Sequence, residues 1–268
     1  MHHQIHYLSI PVAIIFLGIL SSSVLAQEAA ATDAGGDAAF LFAYHPKQGA
    51  RALFQEGYRR HLEWHDQRED PLPWYAWWVV TGDRTGMFVD GTFGITFSAF
   101  DARIDPQGDG ADFAQTTAPF ADPAFRRVLR LRRDLSTVTR LESRSASRLL
   151  QVSEVRLRPG GNAEFENVLR AVREAHSGSA SLPAYTWYEL IDGGQRPTYL
   201  LMVPAESWSD LASSAVGLSG LIAETGQNAE VGNRRLAGLV ESVVAETWSW
   251  AQNLTYLPGE GRERTDSR

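Results

Sequence analysis

Two places in the 268-residue sequence carry side chains whose types and spacing could do chemistry. The first is His61-Leu-Glu-Trp-His65. On a helix, residues four apart share a face, so the two imidazoles would project side by side. With a carboxylate or a third His beside them they could hold a divalent metal ion. The Glu sits one position too late for the His-Glu-x-x-His signature of zinc proteases. A pair of histidines near the negative carboxyl end of a helix also has a purely structural explanation. His61 and His65 are therefore weak metal candidates, and the sequence reads as cofactor-free. The second place is a pair of aromatic strands. Tyr75, Trp77 and Val79 share one strand face, and Tyr185, Trp187 and Glu189 share another. A carboxylate among Tyr and Trp rings has its charged form disfavoured by desolvation, which makes Glu189 the best single candidate acid or base. A helix-facing apolar side would not readily accept Glu189. The Tyr/Trp face is thus expected to line a space between sheets, where Tyr75, Trp77, Tyr185, Trp187 and Glu189 would bind a small apolar or aromatic molecule. The plainer alternative is a Glu at the rim, or paired with an Arg such as Arg156.

Other stretches carry less. The run Arg126-Arg-Val-Leu-Arg-Leu-Arg-Arg133 reads as a solvated helix face opposite Val128, Leu129 and Leu131. Asp105-Pro-Gln-Gly-Asp-Gly110 lacks the closing Glu of a Ca²⁺ loop. There is no Gly-rich phosphate loop and no Ser nucleophile elbow. His65 and His176 recur in a repeat, where a shared structural role at a helix end explains them.

The elements that must position these residues occur twice. Leu72-Pro-Trp-Tyr-Ala-Trp-Trp78 matches Leu182-Pro-Ala-Tyr-Thr-Trp-Tyr188 at a spacing of 110. Upstream, Gly49 matches Gly160, Phe54 matches Phe165 and His65 matches His176 at a spacing of 111. The difference of one is expected to be an insertion in the loop before Leu-Pro. Such a long period indicates a duplicated domain. In the first half, strands are predicted at 38–44, 74–80, 87–101 and 135–141, with helices at 49–68 and 123–133 and a loop at 105–122. Asp122 and Pro123 look like the cap and first position of that second helix. In the second half, strands are predicted at 149–158, 184–191, 198–203 and 246–256. Helices are expected at 163–176, 208–224 and 230–245, the last two separated at Thr225-Gly226, with a loop at 177–183. Each half reads strand, helix, strand, strand, helix, strand, the order of the ferredoxin-like fold. The fold class is thus α+β: two tandem ferredoxin-like repeats, 38–146 and 147–257, whose bare sheet faces pack together within one chain because they are too apolar for water.

Composition bounds the setting. Residues 1–26 hold an apolar segment, Leu8 to Leu20, followed by Val24-Leu-Ala26, the pattern of a secretory signal peptide. The apolar segment is short of the roughly 20 residues that span a bilayer. An exported chain, periplasmic or secreted and with no membrane contact after cleavage, is expected. A flexible lead, 27–37, follows, and 258–268 is expected to be a disordered tail. Removing the leader leaves His45, His61, His65 and His176. The absence of Cys excludes disulfides and thiolate chemistry. The net charge of −7 argues against nucleic acid as a partner.

Glu154-Val-Arg-Leu-Arg-Pro-Gly160, the following helix with Phe165, and Tyr185-Thr-Trp-Tyr188 before a Gly-rich turn resemble the dimeric α/β-barrel superfamily. That group includes antibiotic-biosynthesis monooxygenases, NIPSNAP-like and EthD-like proteins, and the haem-binding chlorite dismutases. The resemblance implies a barrel of two ferredoxin-like units with a cavity between the sheets. It does not imply one activity, and no segment matches the haem-ligand region well enough to assign a ligand. The resulting expectation is a ligand-binding protein. Its alternatives are a monooxygenase-like or haem-using enzyme, and a scaffold with a packed interior. Amino-terminal sequencing of the exported protein should begin at Gln27; an intact start in the membrane fraction would exclude cleavage.

Overall fold

The computed structural model describes residues 35–176, 184–213, 217–223 and 229–259. The leader, most of the lead, the loop expected at 177–183, the Thr225-Gly226 break and residues 260–268 lie outside the described residues. In the first repeat the chain runs β1 (Ala38–Pro46), α1 (Arg51–Gln67), β2 (Tyr75–Val79), β3 (Phe88–Ile95), α2 (Phe97–Asp101), α3 (Pro106–Thr116) and β4 (Ala121–Leu131). The second repeat runs β5 (Leu149–Leu157), α4 (Asn162–His176), β6 (Thr186–Asp192), β7 (Thr198–Ala205), α5 (Trp208–Ser213), α6 (Gly217–Ala223), α7 (Ala229–Leu239) and β8 (Val240–Trp250). None of these helices is long and apolar enough to cross a membrane.

All strand pairings are antiparallel. Within each repeat the fourth strand lies beside the first, then the third, then the second. The edges do not stay open: β2 pairs with β8 and β4 pairs with β6. The eight strands close into a barrel in the order β1-β3-β2-β8-β5-β7-β6-β4. Closure satisfies every sheet edge and buries both faces of most strands. One face fills the barrel. Leu41 of β1, Trp77 of β2, Val89 of β3, Leu129 of β4, Val152 of β5, Leu190 of β6, Leu200 of β7 and Trp248 of β8 all belong to that core. The other face meets the helices. Phe54, Tyr58 and Leu62 of α1 pack on the first repeat, and Phe165, Leu169 and Val172 of α4 on the second.

Parity corrects the expected site. Tyr75, Trp77 and Val79 point into the barrel, but on β6 the inward residues are Tyr188 and Leu190. Tyr185 and Trp187 face α4 in the second helix layer. The structural offset between the first three strands of the two repeats is therefore 111, pairing Trp77 with Tyr188 and Trp74 with Tyr185. The Leu-Pro match at 110 is out of register by one residue. A slip of one inverts every side chain in a strand, so the five expected residues do not line one space together.

Four stretches also differ from expectation. Residues 121–131 form β4, not a helix, because Phe125, Arg127, Leu129 and Leu131 alternate inward with period two. The Asp-Pro helix start lies earlier: Asp105 accepts a hydrogen bond from Gly108 N with Pro106 at the first position of α3. Residues 135–141 are turns rather than a strand, with Thr137 N donating to Tyr185 O. Residues 240–245 open β8 instead of closing a helix, as the β-branched Val240, Val243 and Val244 favour.

Trp77 and Trp187 are both 1% exposed, in different layers. Each substitution to Ala should cost roughly 3–5 kcal/mol. Urea melts of the two variants measure this, and an unshifted midpoint for Trp77→Ala would contradict a packed barrel interior.

Candidate functional site

The barrel interior is occupied by side chains, and the space beside Leu150, Tyr188 and Met202 is only about 20 Å³. A cavity of about 400 Å³ lies outside the barrel, between the outer face of β1 and helices α1 and α3. Its walls are aromatic. Phe40, Phe42 and Tyr44 alternate with the inward Leu41 and Ala43 along β1. Phe100 of α2 stacks on Phe40 with ring centroids 3.5 Å apart, and Phe113 of α3 lies 5.1 Å from Tyr44. Trp74 closes one side, 6.1 Å from Phe42. Arg103 and Arg126 add positive charge near the mouth.

The floor is polar. Phe54, Tyr58, His61, Leu62 and His65 form the buried face of α1 at spacings of three and four. The helix α3 approaches this face closely at Gly57, where a Cβ would stand 1.9 Å from Thr116 O. That close approach sets the two acidic residues of α3 against the histidines. His61 Nδ1 is 2.8 Å from Asp112 Oδ2, and its Nε2 is 3.2 Å from Asp109 Oδ1. His65 Nδ1 is 2.7 Å from Asp70 Oδ2, and its Nε2 is 3.7 Å from the same Asp109 Oδ1. Asp70 is in turn held by Trp74 Nε1 at 2.9 Å and Leu72 N at 3.0 Å. Burial pushes the Asp70 carboxyl upward, but the hydrogen bonds from His65, Trp74 and Leu72 outweigh it and leave it below the usual range. Burial likewise opposes charge on His61, yet Asp109 and Asp112 prevail and raise its pKa. Three carboxylates around two imidazoles make this a site that attracts positive charge.

A second pair completes the floor. Tyr58 Oη donates to Asp90 Oδ2 at 2.7 Å, while Asp90 Oδ1 has no hydrogen-bond partner. Burial pushes the Asp90 carboxyl up to about 7, with the Tyr58 bond opposing. A group ionising there suits proton transfer at neutral pH.

Of the residues expected from sequence, His61 and His65 lie in this cavity. Tyr75 and Trp77 lie in the barrel core, and Tyr185 and Trp187 under α4. Glu189 stands on the helix-facing side of β6, its Oε2 3.7 Å from Arg132 and 3.9 Å from Arg130. Its partners are these arginines rather than Arg156, which binds Glu241 and Gln195. Arg132 neutralises the charge, so the helix-facing side accepts a Glu after all. The same Arg132 anchors Glu166 of α4, and that hydrogen bond holds the Glu166 carboxyl down at about 2. Asp109, Asp112 and Asp90 were missed. Asp90 interrupts an apolar strand, a signal that stands in the sequence, whereas Asp109 and Asp112 lie on a Gly-rich helix that local propensity reads as loop.

No protein-family model and no curated protein matches the sequence. Solved structures match in shape. A candidate monooxygenase from Lactobacillus acidophilus superposes with a TM-score of 0.52 at 11% identity, covering 83% of this chain and 97% of its own. An anthrone oxidase-like protein gives 0.54 at 9% identity, covering 86% and 96%. A candidate monooxygenase from Fusobacterium nucleatum gives 0.53 at 9%, covering 80% and 93%. The fold, an eight-stranded antiparallel barrel with helices on its outer face, is shared with these structures. The alternative of a haem-using enzyme finds no support in the cavity histidines. An axial imidazole must face a flat open slot, whereas His65 Nε2 faces Asp109 and the His61 ring stands edge-on with centroids 4.8 Å apart.

Asp90 also predicts a pH dependence. Its folded pKa lies above the unfolded value, so the folded chain binds the extra proton between about pH 4 and 7. Stability from this group is therefore present at low pH and lost as pH rises through that window. Asp90→Asn should remove the loss, raising stability at pH 8 relative to the native chain by up to about 4 kcal/mol and by little at pH 4. Melting temperatures across that range check it; a gain independent of pH would contradict the assignment.

Proposed function

We propose that this chain is an exported protein that binds a small aromatic molecule in the outer cavity of its first repeat. The observation that carries the reading is the cavity itself, with aromatic walls from Phe40, Phe42, Phe100 and Phe113 over a few convergent polar groups. Rings along β1 supply contact area, and Arg126 over Phe42 at 5.7 Å adds a cation at the mouth. Export rests on the leader segment at 1–26. A second reading, an enzyme acting on that ligand, is favoured by Asp90. A buried carboxylate ionising near neutral pH can take the proton of an aromatic hydroxyl. The names of the neighbours, candidate monooxygenases and an anthrone oxidase-like protein, are consistent with an acidic aromatic substrate.

Titration with 1-naphthol should quench Trp fluorescence saturably, since Trp74 lines the cavity. Phe42→Ala should weaken this binding about tenfold, the value of roughly 1.4 kcal/mol of lost contact. Glu189→Gln, in the other repeat, should leave it unchanged. Equal affinity for the native chain and Phe42→Ala would remove the outer cavity as the site. Loss of affinity in Glu189→Gln alone would move it to the second repeat.

A further inference from the structure

We propose that His61, His65 and Asp109 form a site for one divalent transition-metal ion on the floor of the outer cavity. Among the described residues they are a group of imidazoles and a carboxylate whose ligand atoms all lie within 4.8 Å of one another. The inference goes beyond the aromatic-ligand reading and does not require it.

The first argument is orientation. Asp112 Oδ2 and Asp70 Oδ2 lie against the Nδ1 atoms of His61 and His65, at 2.8 and 2.7 Å. That turns both Nε2 atoms toward one oxygen, Asp109 Oδ1, at 3.2 and 3.7 Å, so three ligand atoms converge where a single dication would be shared by all of them.

The second argument is distance. Ligands about 2.0–2.2 Å from a zinc-like ion, at tetrahedral or octahedral angles, stand roughly 3.0–3.5 Å from each other. The two separations to Asp109 lie in or near that range, and all three ligand atoms lie within 4.8 Å of one another, so binding would draw the two imidazoles toward the ion. The carboxylate behind each imidazole is the arrangement that orients metal-bound histidines and raises their basicity. His61 and His65 are 5% and 4% exposed, so the donors are shielded from bulk water.

The third observation is independent of the three ligands. Asp90, 6% exposed, lines the same cavity with an Oδ1 that has no hydrogen-bond partner. A water on the ion would offer such an oxygen a donor. Two imidazoles and one carboxylate select zinc, iron(II), cobalt(II) or nickel(II) over calcium and magnesium, which prefer all-oxygen sets. Because all three ligands line the cavity, the remaining coordination positions face the space where an aromatic ligand would lie. The ion would there lower the pKa of a bound hydroxyl.

The test is titration of the chelator-stripped full chain with cobalt(II). The expected result is one tight equivalent with visible absorption of nitrogen-ligated cobalt. Asp109→Asn, nearly isosteric and partly exposed, should retain its circular dichroism and weaken that equivalent at least tenfold. His65→Gln should do the same. His2, His3 and His6 leave with the leader, and any chain that retains it carries them in every variant, so binding there cannot produce the difference. Unchanged affinity and spectrum in Asp109→Asn, or absence of the cobalt absorption in the native chain, overturns the proposal. The naphthol titration repeated in excess chelator separates the two readings: binding that survives there while cobalt fails sinks the metal site alone.

Discussion

Everything in this fold depends on strand parity inside a closed barrel. Pairing β2 with β8 and β4 with β6 leaves no free edge, so a strand residue has two destinations. It fills the barrel or it meets the helix layer. An eight-stranded barrel has an interior just wide enough for side chains. Here Tyr75, Trp77, Phe93, Tyr188 and Trp248 take that space. A binding cavity then has to form in a helix layer, where helices cover the sheet incompletely. One end of the interior is also occupied by charge: Arg127 forks onto Glu154, and Arg84 onto the buried Glu246.

The two helix layers have diverged. In the second repeat, Phe165, Val168, Leu169 and Val172 of α4 pack with Leu221, Ile222 and Leu236 over the sheet. Its acidic residues are paired with arginines, as in the link from Glu166 to Arg132 and Tyr199. In the first repeat the corresponding layer carries His61, His65, Asp109 and Asp90 around a cavity. The equivalent helix-end histidines show the divergence. His65 lies against Asp70, whereas His176 Nδ1 lies 3.4 Å from Tyr185 Oη. A duplicated unit can thus stabilise the barrel with one copy while the other carries polar groups whose burial would be costly without ligands.

The placement of α3 links packing to chemistry. Gly57 removes the one side-chain carbon that would hold α3 off α1. Asp109 and Asp112 reach the histidines only because of that approach. The charge pattern around His61 is therefore a consequence of helix packing, and it is not visible on α1 alone.

Much of the architecture was legible in the sequence. The duplication and the strand–helix–strand order follow from spacing, because helical and strand periods are local properties. The histidine pair was also legible, since four residues on a helix always bring two side chains together. Its carboxylate partner was not. Asp109 sits on a helix opened by Asp105-Pro106 and rich in Gly, which local propensity reads as loop. The register of β6 was hidden for a different reason. Leu-Pro-x-Tyr-x-Trp matches at 110, but the barrel holds β2 and β6 at 111. Tyr185, Trp187 and Glu189 are compatible with either face by type alone, given an arginine such as Arg132 to neutralise the Glu. The sequence by itself determined the repeated strand–helix–strand–strand core of each half and that its bare sheet face is too apolar for water. Only the tertiary structure decided which face turns inward, because that choice is made by partners distant along the chain and by the volume available inside a closed ring of eight strands.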